Sequence, residues 1–129
     1  MFDPRQATVV VIDDDACLRE ALAVLLGSAD YRSISYASAE EYLKHPPPEI
    51  PCCLLIDLHL PGMSGIALQQ RLNNRQPRPP TVFISGDASK GEMEQAIAGG
   101  ALDFLHKPFD TDTLLARTRR CLNQSLKRV

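Results

Sequence analysis

The chain has 129 residues, 44% of them apolar and 23% charged, with a formal net charge of −2. That length suits one domain with a real core and is short for two; the apolar content excludes a disordered chain, and the mild negative charge argues against nucleic-acid binding by the domain as a whole. No apolar run approaches the roughly 20 residues of a membrane span, and MFDPRQATVV lacks a signal-peptide pattern, so no membrane partner and a cytoplasmic location are expected.

The first predicted strand is TVVVID (8–13), a continuous apolar run of the kind found in parallel sheets covered on both faces. It ends in Asp13, Asp14 and Asp15, the last of which suits the N-cap of a helix in which Leu18, Ala21, Leu22, Leu25 and Leu26 fall at helical spacing. YRSISY (31–36) is more polar and reads as an edge strand. Ser38 and Glu41 then have capping-box spacing, and HPPPEIP can only be a loop. CCLLID (52–57) runs straight into Asp57 and turns through LPGMSG. After a further loop, RQPRPP, the fourth strand TVFIS (81–85) ends in Ser85. Ser89 and Glu92 repeat the capping-box spacing ahead of Met93, Ala96 and Ile97, while Gly91 sits in the first turn of that helix and Gly99-Gly100 ends it. ALDFLH (101–106) is a second edge strand, followed by Lys107-Pro108, a candidate cis peptide. Leu114, Leu115, Thr118, Cys121 and Leu122 mark the last helix; Arg117, Arg119, Arg120, Lys127 and Arg128 read as its solvated face and C-terminal end. The cysteines at 17, 52, 53 and 121 lack metal-site spacing and are expected to be reduced.

Alternating strands and helices predict a single α/β doubly wound (βα)5 domain over residues 1–129. Its core covers about 8–122, and 123–129 begin a tail or linker. The strand ends put Asp13, Asp14, Asp57, Ser85 and Lys107 at the carboxyl edge of the sheet, where open α/β sheets bind ligands. A carboxylate closing a buried strand costs several kcal/mol or takes up a proton, so Asp57 is either paired or placed to react. If the first and third strands are neighbours, three carboxylates converge and need a cation. Hard oxygen ligands with little else predict Mg²⁺.

VVVIDDD, LLIDLHLPGMSG, VFISGD and DFLHKPF resemble, in order and spacing, the four signature segments of the response-regulator receiver domain of two-component systems. The likeness runs from about Thr8 to Leu122, and LPGMSG and HKPF are most similar to receivers of FixJ/NarL-type regulators. The resemblance implies a flavodoxin-like, five-stranded parallel sheet of order 2-1-3-4-5. It implies that Asp13 and Asp14 hold Mg²⁺ together with Asp57 and the backbone carbonyl of His59, and that Asp57 accepts the phosphoryl group. By the same likeness Lys107 contacts the phosphoryl oxygens, Ser85 is the switch hydroxyl and Phe104 the switch aromatic. Such a domain takes its phosphoryl group from a sensor histidine kinase and catalyses only its own phosphorylation and dephosphorylation. Its output is transcription through a DNA-binding domain outside this chain, the alternative being a stand-alone or hybrid-kinase receiver acting by protein-protein contact.

Two other chemistries fit less well. A haloacid-dehalogenase-type phosphatase wants a second aspartate two residues after the nucleophile, where His59 stands. A flavodoxin-like FMN binder needs a Ser/Thr/Gly-rich loop where Asp13 to Asp15 would repel the phosphate. Two further expectations concern regulation. His59 and Asp87, each two residues beyond a site group and able to reach the path of the attacking water, are expected to tune the lifetime of the acyl phosphate, and phosphorylation is expected to drive homodimerisation through the fourth helix, fifth strand and fifth helix, where Glu92, Glu94, Arg117 and Arg120 offer opposite charges.

Overall fold

A strand covered on both faces must be apolar at almost every position, and the burial of the three central strands follows that requirement. The computed structural model describes residues 3–75 and 78–126. After a 3-10 turn at Pro4–Gln6 come β1 (Thr8–Ile12), α1 (Ala16–Ser28), β2 (Arg32–Tyr36), α2 (Ala39–Leu43) and β3 (Cys52–Asp57). They are followed by α3 (Gly65–Asn73), β4 (Thr81–Ser85), α4 (Lys90–Ala98), β5 (Asp103–His106) and α5 (Thr111–Leu126). All strand pairs are parallel, in the order β2-β1-β3-β4-β5.

Side chains alternate across each strand, so each central strand feeds two cores. Val9, Val11, Cys53, Leu55, Val82 and Ile84 pack with Leu22 and Leu26 of α1 and with Leu114, Cys121 and Leu122 of α5. Val10, Ile12, Leu54, Ile56 and Phe83 pack on the opposite face with Tyr42 of α2, Leu68 and Leu72 of α3, and Ala96 of α4. Every residue of β3 and β4 is buried, whereas β2, with one neighbour, has only exposed and half-buried residues.

The caps follow the sequence with one variation. Ser89 and Glu92 form a full capping box at α4, each side chain bonding the other's backbone N–H. At α2 the Ser38 side chain accepts from Glu41 N–H, but the Glu41 carboxylate reaches back to Ala37 N–H at 3.4 Å instead of Ser38. Asp15 caps α1 by accepting from the N–H groups of Cys17 and Leu18. All four cysteines are reduced thiols, and only Cys17 is exposed.

Helix α5 extends past the expected end of the core at Leu122. Ser125 is buried, and its hydroxyl accepts from Cys52 N–H at 3.0 Å at the very start of β3. The expected solvated face of α5 is only partly that: Arg117 donates to Asp103 Oδ1 at 2.8 Å and to the carbonyl of Phe104 at 3.1 Å, and Arg120 approaches Asp103 Oδ2 at 3.5 Å. Lys127 and Arg128, expected at its C-terminal end, lie outside the described residues. No helix among the described residues is long and apolar enough to cross a membrane.

The two-sided core makes a sharp contrast testable. Leu55→Ala opens a cavity at a fully buried position of β3 and is expected to cost about 3 kcal/mol, lowering Tm by roughly 10 °C. Val24 of α1 is 73% exposed, and Val24→Ala is expected to stay within about 0.5 kcal/mol. Thermal and urea unfolding of both variants check the difference.

Candidate functional site

Because β1 and β3 are hydrogen-bonded neighbours, the loops leaving their carboxyl ends meet. Carboxylate oxygens of Asp13, Asp14 and Asp57 come within 4.8 Å of one another. Asp13 is fully buried and Asp57 is 6% exposed, while Asp14 is exposed. Lys107 enters from the end of β5, its ammonium 3.1 Å from Asp13 Oδ2 and 3.6 Å from Asp57 Oδ2. The backbone frames this approach: Lys107 N–H donates to Ser85 carbonyl at 2.9 Å, and the Lys107-Pro108 bond is cis, as is Ile50-Pro51, which the sequence reading did not single out.

Asp13 is held from several sides. Its N–H donates to Tyr36 carbonyl at 3.2 Å, its Oδ1 accepts from Asp15 N–H at 2.9 Å, and its carbonyl accepts from the Arg19 guanidinium at 2.7 Å. Asp57 Oδ1 accepts from His59 N–H at 3.1 Å, which fixes the first turn of the loop after β3. Ser85, fully buried at the end of β4, accepts through its hydroxyl oxygen from Asp87 N–H at 3.2 Å.

The LPGMSG loop passes close to a side chain of α2 and to the backbone of β3, and two glycines make that possible. Gly62 adopts φ +72°, favoured by glycine, and a Cβ there would lie 2.5 Å from Glu40 Oε2. A Cβ on Gly65 would lie 2.6 Å from the carbonyl oxygen of Asp57, so glycine lets α3 begin directly against the strand that carries the aspartate. Glu40 of α2 accepts from Met63 N–H at 3.1 Å, and Ser64 caps α3 by accepting from Ala67 N–H at 3.1 Å.

Charge is unevenly distributed here. Burial pushes the Asp57 carboxyl up and the neighbouring Asp13 and Asp14 push the same way, against the His59 N–H bond and the Lys107 charge, so its pKa lies above the ordinary value. Burial pulls Lys107 down, but the Asp13 and Asp57 carboxylates outweigh it and hold the ammonium above its usual range. Three carboxylates facing one ammonium leave the cluster short of positive charge. The donor set, all hard oxygen, fits a small divalent cation beside Lys107.

His59 takes an unexpected position. Its Nε2 is 2.7 Å from Glu92 Oε2 and its Nδ1 is 3.0 Å from Asp87 Oδ1, so the ring ties the loop after β3 to the loop after β4 and to the first turn of α4. The Glu92 hydrogen bond raises its pKa against the opposing effect of burial, and the charges of Glu92 and Asp87 add to the rise. Phe104 is buried, with its ring centroid 6.3 Å from that of Phe83 and 5.5 Å from that of His106. Beside Lys107, Leu18, Ala21, Leu25, Pro108 and Phe109 line an open groove of about 340 Å³. Arg19 and Glu40 have no sequence signal for these contacts: each acts on the backbone of another loop, and charge spacing on a helix carries no sign of that reach.

The raised Asp57 pKa fixes the sign of a pH effect. Between its ordinary value and the raised one, the folded chain holds more protons than the unfolded chain, so stability falls as pH rises through that window. Without divalent cations, Asp57→Asn is expected to remove this dependence and to raise Tm at neutral pH by a few degrees, on the scale of 1 kcal/mol. Differential scanning calorimetry across the acid range in chelator measures both.

Comparison with known proteins bears on the whole of this arrangement. The model of the response regulator receiver domain matches residues 9–119. Nodulation protein W of Bradyrhizobium diazoefficiens is 36% identical over 110 residues, which are 85% of this chain and 48% of that protein. The transcriptional regulatory protein FixJ of Azorhizobium caulinodans is 35% identical over 122 residues, 95% of this chain and 58% of its own length. The chain thus spans about half the length of these curated relatives. Among solved structures, the response regulator StyR superposes with a TM-score of 0.87 at 38% identity, covering 95% of this chain and 62% of that one. FixJ-N does so with a TM-score of 0.82 at 30% identity, covering 96% of each.

Proposed function

Since the chain belongs to the response regulator receiver domain family, we propose that it accepts a phosphoryl group on Asp57 from a sensor histidine kinase in a Mg²⁺-dependent reaction. The observation that carries this reading is the carboxylate of Asp57 at the end of the central strand, within reach of both Asp13/Asp14 and Lys107. An oxygen of Asp57 bonds to phosphorus as the phosphorus–nitrogen bond of the donor phosphohistidine breaks, and the electron pair leaves with the imidazole. Water later attacks the same phosphorus, releasing inorganic phosphate and restoring the carboxylate. The chain acts on no other substrate.

Asp13, Asp14, Asp57 and the backbone carbonyl of His59 would hold Mg²⁺, which when bound neutralises charge on the phosphoryl oxygens. Lys107 shares its ammonium between Asp13 and Asp57 and has donors to turn toward those oxygens, which makes positioning and electrostatics the chain's main contribution. The groove beside Lys107 offers an apolar seat to the protein that presents the phosphohistidine. The matched segments are 58% and 57% of the length of two relatives named as transcriptional regulatory proteins, which supports an output in transcription through a DNA-binding domain outside this chain.

Incubation with Mg²⁺ and acetyl phosphate should add one phosphoryl group by intact mass, and none to Asp57→Ala. Asp14→Ala is expected to weaken Mg²⁺ affinity about tenfold or more, whereas Lys107→Ala should slow labelling with a smaller change in that affinity. Labelling of Asp57→Ala at the parent rate would reject the acceptor, and an equal loss of affinity in the other two variants would reject the division of roles.

The switch reading involves Ser85 and Phe104. A phosphoryl group on Asp57 gives the Ser85 hydroxyl a new acceptor in place of Asp87 Oδ1, to which it donates at 3.5 Å, and the ring of Phe104 follows into the space vacated. Helix α4, with Gly91 in its first turn, is the element close enough to bistable to respond. The charges expected to join two copies across α4, β5 and α5 are already engaged within one: Arg117 and Arg120 with Asp103, Glu92 with His59, and Glu94 with Lys90 at 3.9 Å. Dimerisation therefore requires some of these pairs to exchange partners. Sedimentation with and without beryllofluoride should show a monomer shifting to a dimer, and a monomer in both at high concentration would discard the dimer.

A further inference from the structure

Asp14 is the weakly held member of the acidic cluster. Asp13 is buried and bonded on every side, and Asp57 closes a buried strand, whereas Asp14 is exposed and its carboxylate makes no hydrogen bond or ion pair among the described residues. Its side chain can be aimed only through its backbone. That backbone is gripped on both sides: the carbonyl before it, that of Asp13, takes the Arg19 guanidinium at 2.7 Å, and the N–H after it, that of Asp15, is taken by Asp13 Oδ1 at 2.9 Å.

Helix stability does not account for Arg19. It stands in the first turn of α1, one helical hydrogen bond from the Asp15 cap, where a cation opposes the helix dipole. The same turn already has its acidic cap in Asp15, and the guanidinium reaches past it to Asp13. A charge-assisted bond of this length is among the stronger single contacts a carbonyl can accept, and it sets the orientation of the peptide that leads into Asp14.

We infer that Arg19 is a positioning residue for the cation site: by holding the Asp13 carbonyl it keeps the Asp13–Asp14 peptide oriented so that the exposed Asp14 carboxylate stays with those of Asp13 and Asp57. The inference rests on the proposed divalent-cation site. Arg19 touches neither the cation nor the reacting atoms. Its contribution is to remove the entropy of an otherwise free loop ligand before binding, so its loss appears in affinity rather than in the chemistry itself. Lysine can donate to the same carbonyl with one point charge and should restore part of the effect.

Calorimetric titration of Mg²⁺ into the chain and its Arg19→Gln, Arg19→Lys, Asp14→Asn and Arg19→Gln/Asp14→Asn variants tests this, with thermal unfolding in chelator as the control for fold. Arg19→Gln is expected to weaken affinity about fivefold and Arg19→Lys by less, and Arg19→Gln should add nothing once Asp14 is already Asn. An equal further loss in the Asp14→Asn background, or a lowered Tm with unchanged affinity, would make Arg19 a structural brace only and overturn the assignment. A parent chain that binds no Mg²⁺ overturns the functional reading as well, whereas a parent that binds it with additive variants overturns this inference alone.

Discussion

The repulsion among three carboxylates at the junction of β1 and β3 is the constraint around which the carboxyl edge is organised. At roughly 4 Å, two like charges repel by about 4 kcal/mol even in the softened dielectric near a protein surface, and Asp13 and Asp57 are both buried. Lys107 offsets part of that, and the neighbouring loops offset a further part through oriented N–H groups: Asp15 N–H to Asp13, and His59 N–H to Asp57. The apolar strands make the arrangement rigid. With every residue of β3 and β4 buried, neither strand can slide to relieve the crowding.

The sequence made the strand ends legible and left their supports obscure. Asp13, Asp57, Ser85 and Lys107 could be placed because each closes or follows an apolar run, and a parallel sheet brings such ends together. Arg19 and Glu40 could not, because each lies on a helix and acts on a loop backbone that only the folded chain brings near. The same limit explains Arg117 and Arg120. Spacing along α5 puts them on a polar face, and it takes the adjacent β5 to show that Asp103 stands opposite. His59 reads as a loop residue until the loop after β4 brings Asp87 and Glu92 to either side of its ring.

Helix α4 is fastened at both ends to the layer that includes α3. At its start, Glu92 serves the capping box with one oxygen and His59 with the other. At its end, Gln69 of α3 donates to Ala96 carbonyl at 2.8 Å and Asn73 donates to Gly99 carbonyl at 2.9 Å. Only Ala96 of this helix is buried. Its position therefore depends more on terminal hydrogen bonds than on apolar burial, which is the balance expected of an element that shifts as a unit when a few polar contacts change.

The bond between Ser125 and Cys52 gives β3 a mechanical role. Six residues of strand span about 20 Å, from the N–H that the α5 hydroxyl holds to the carboxylate of Asp57. Parallel neighbours pair with that strand on both sides and brace it. The last turn of α5 and the acidic cluster are thus opposite ends of one strut. A torque applied at the last turn of α5 would be borne, through the Ser125 hydroxyl, at the foot of the strand that carries the aspartate.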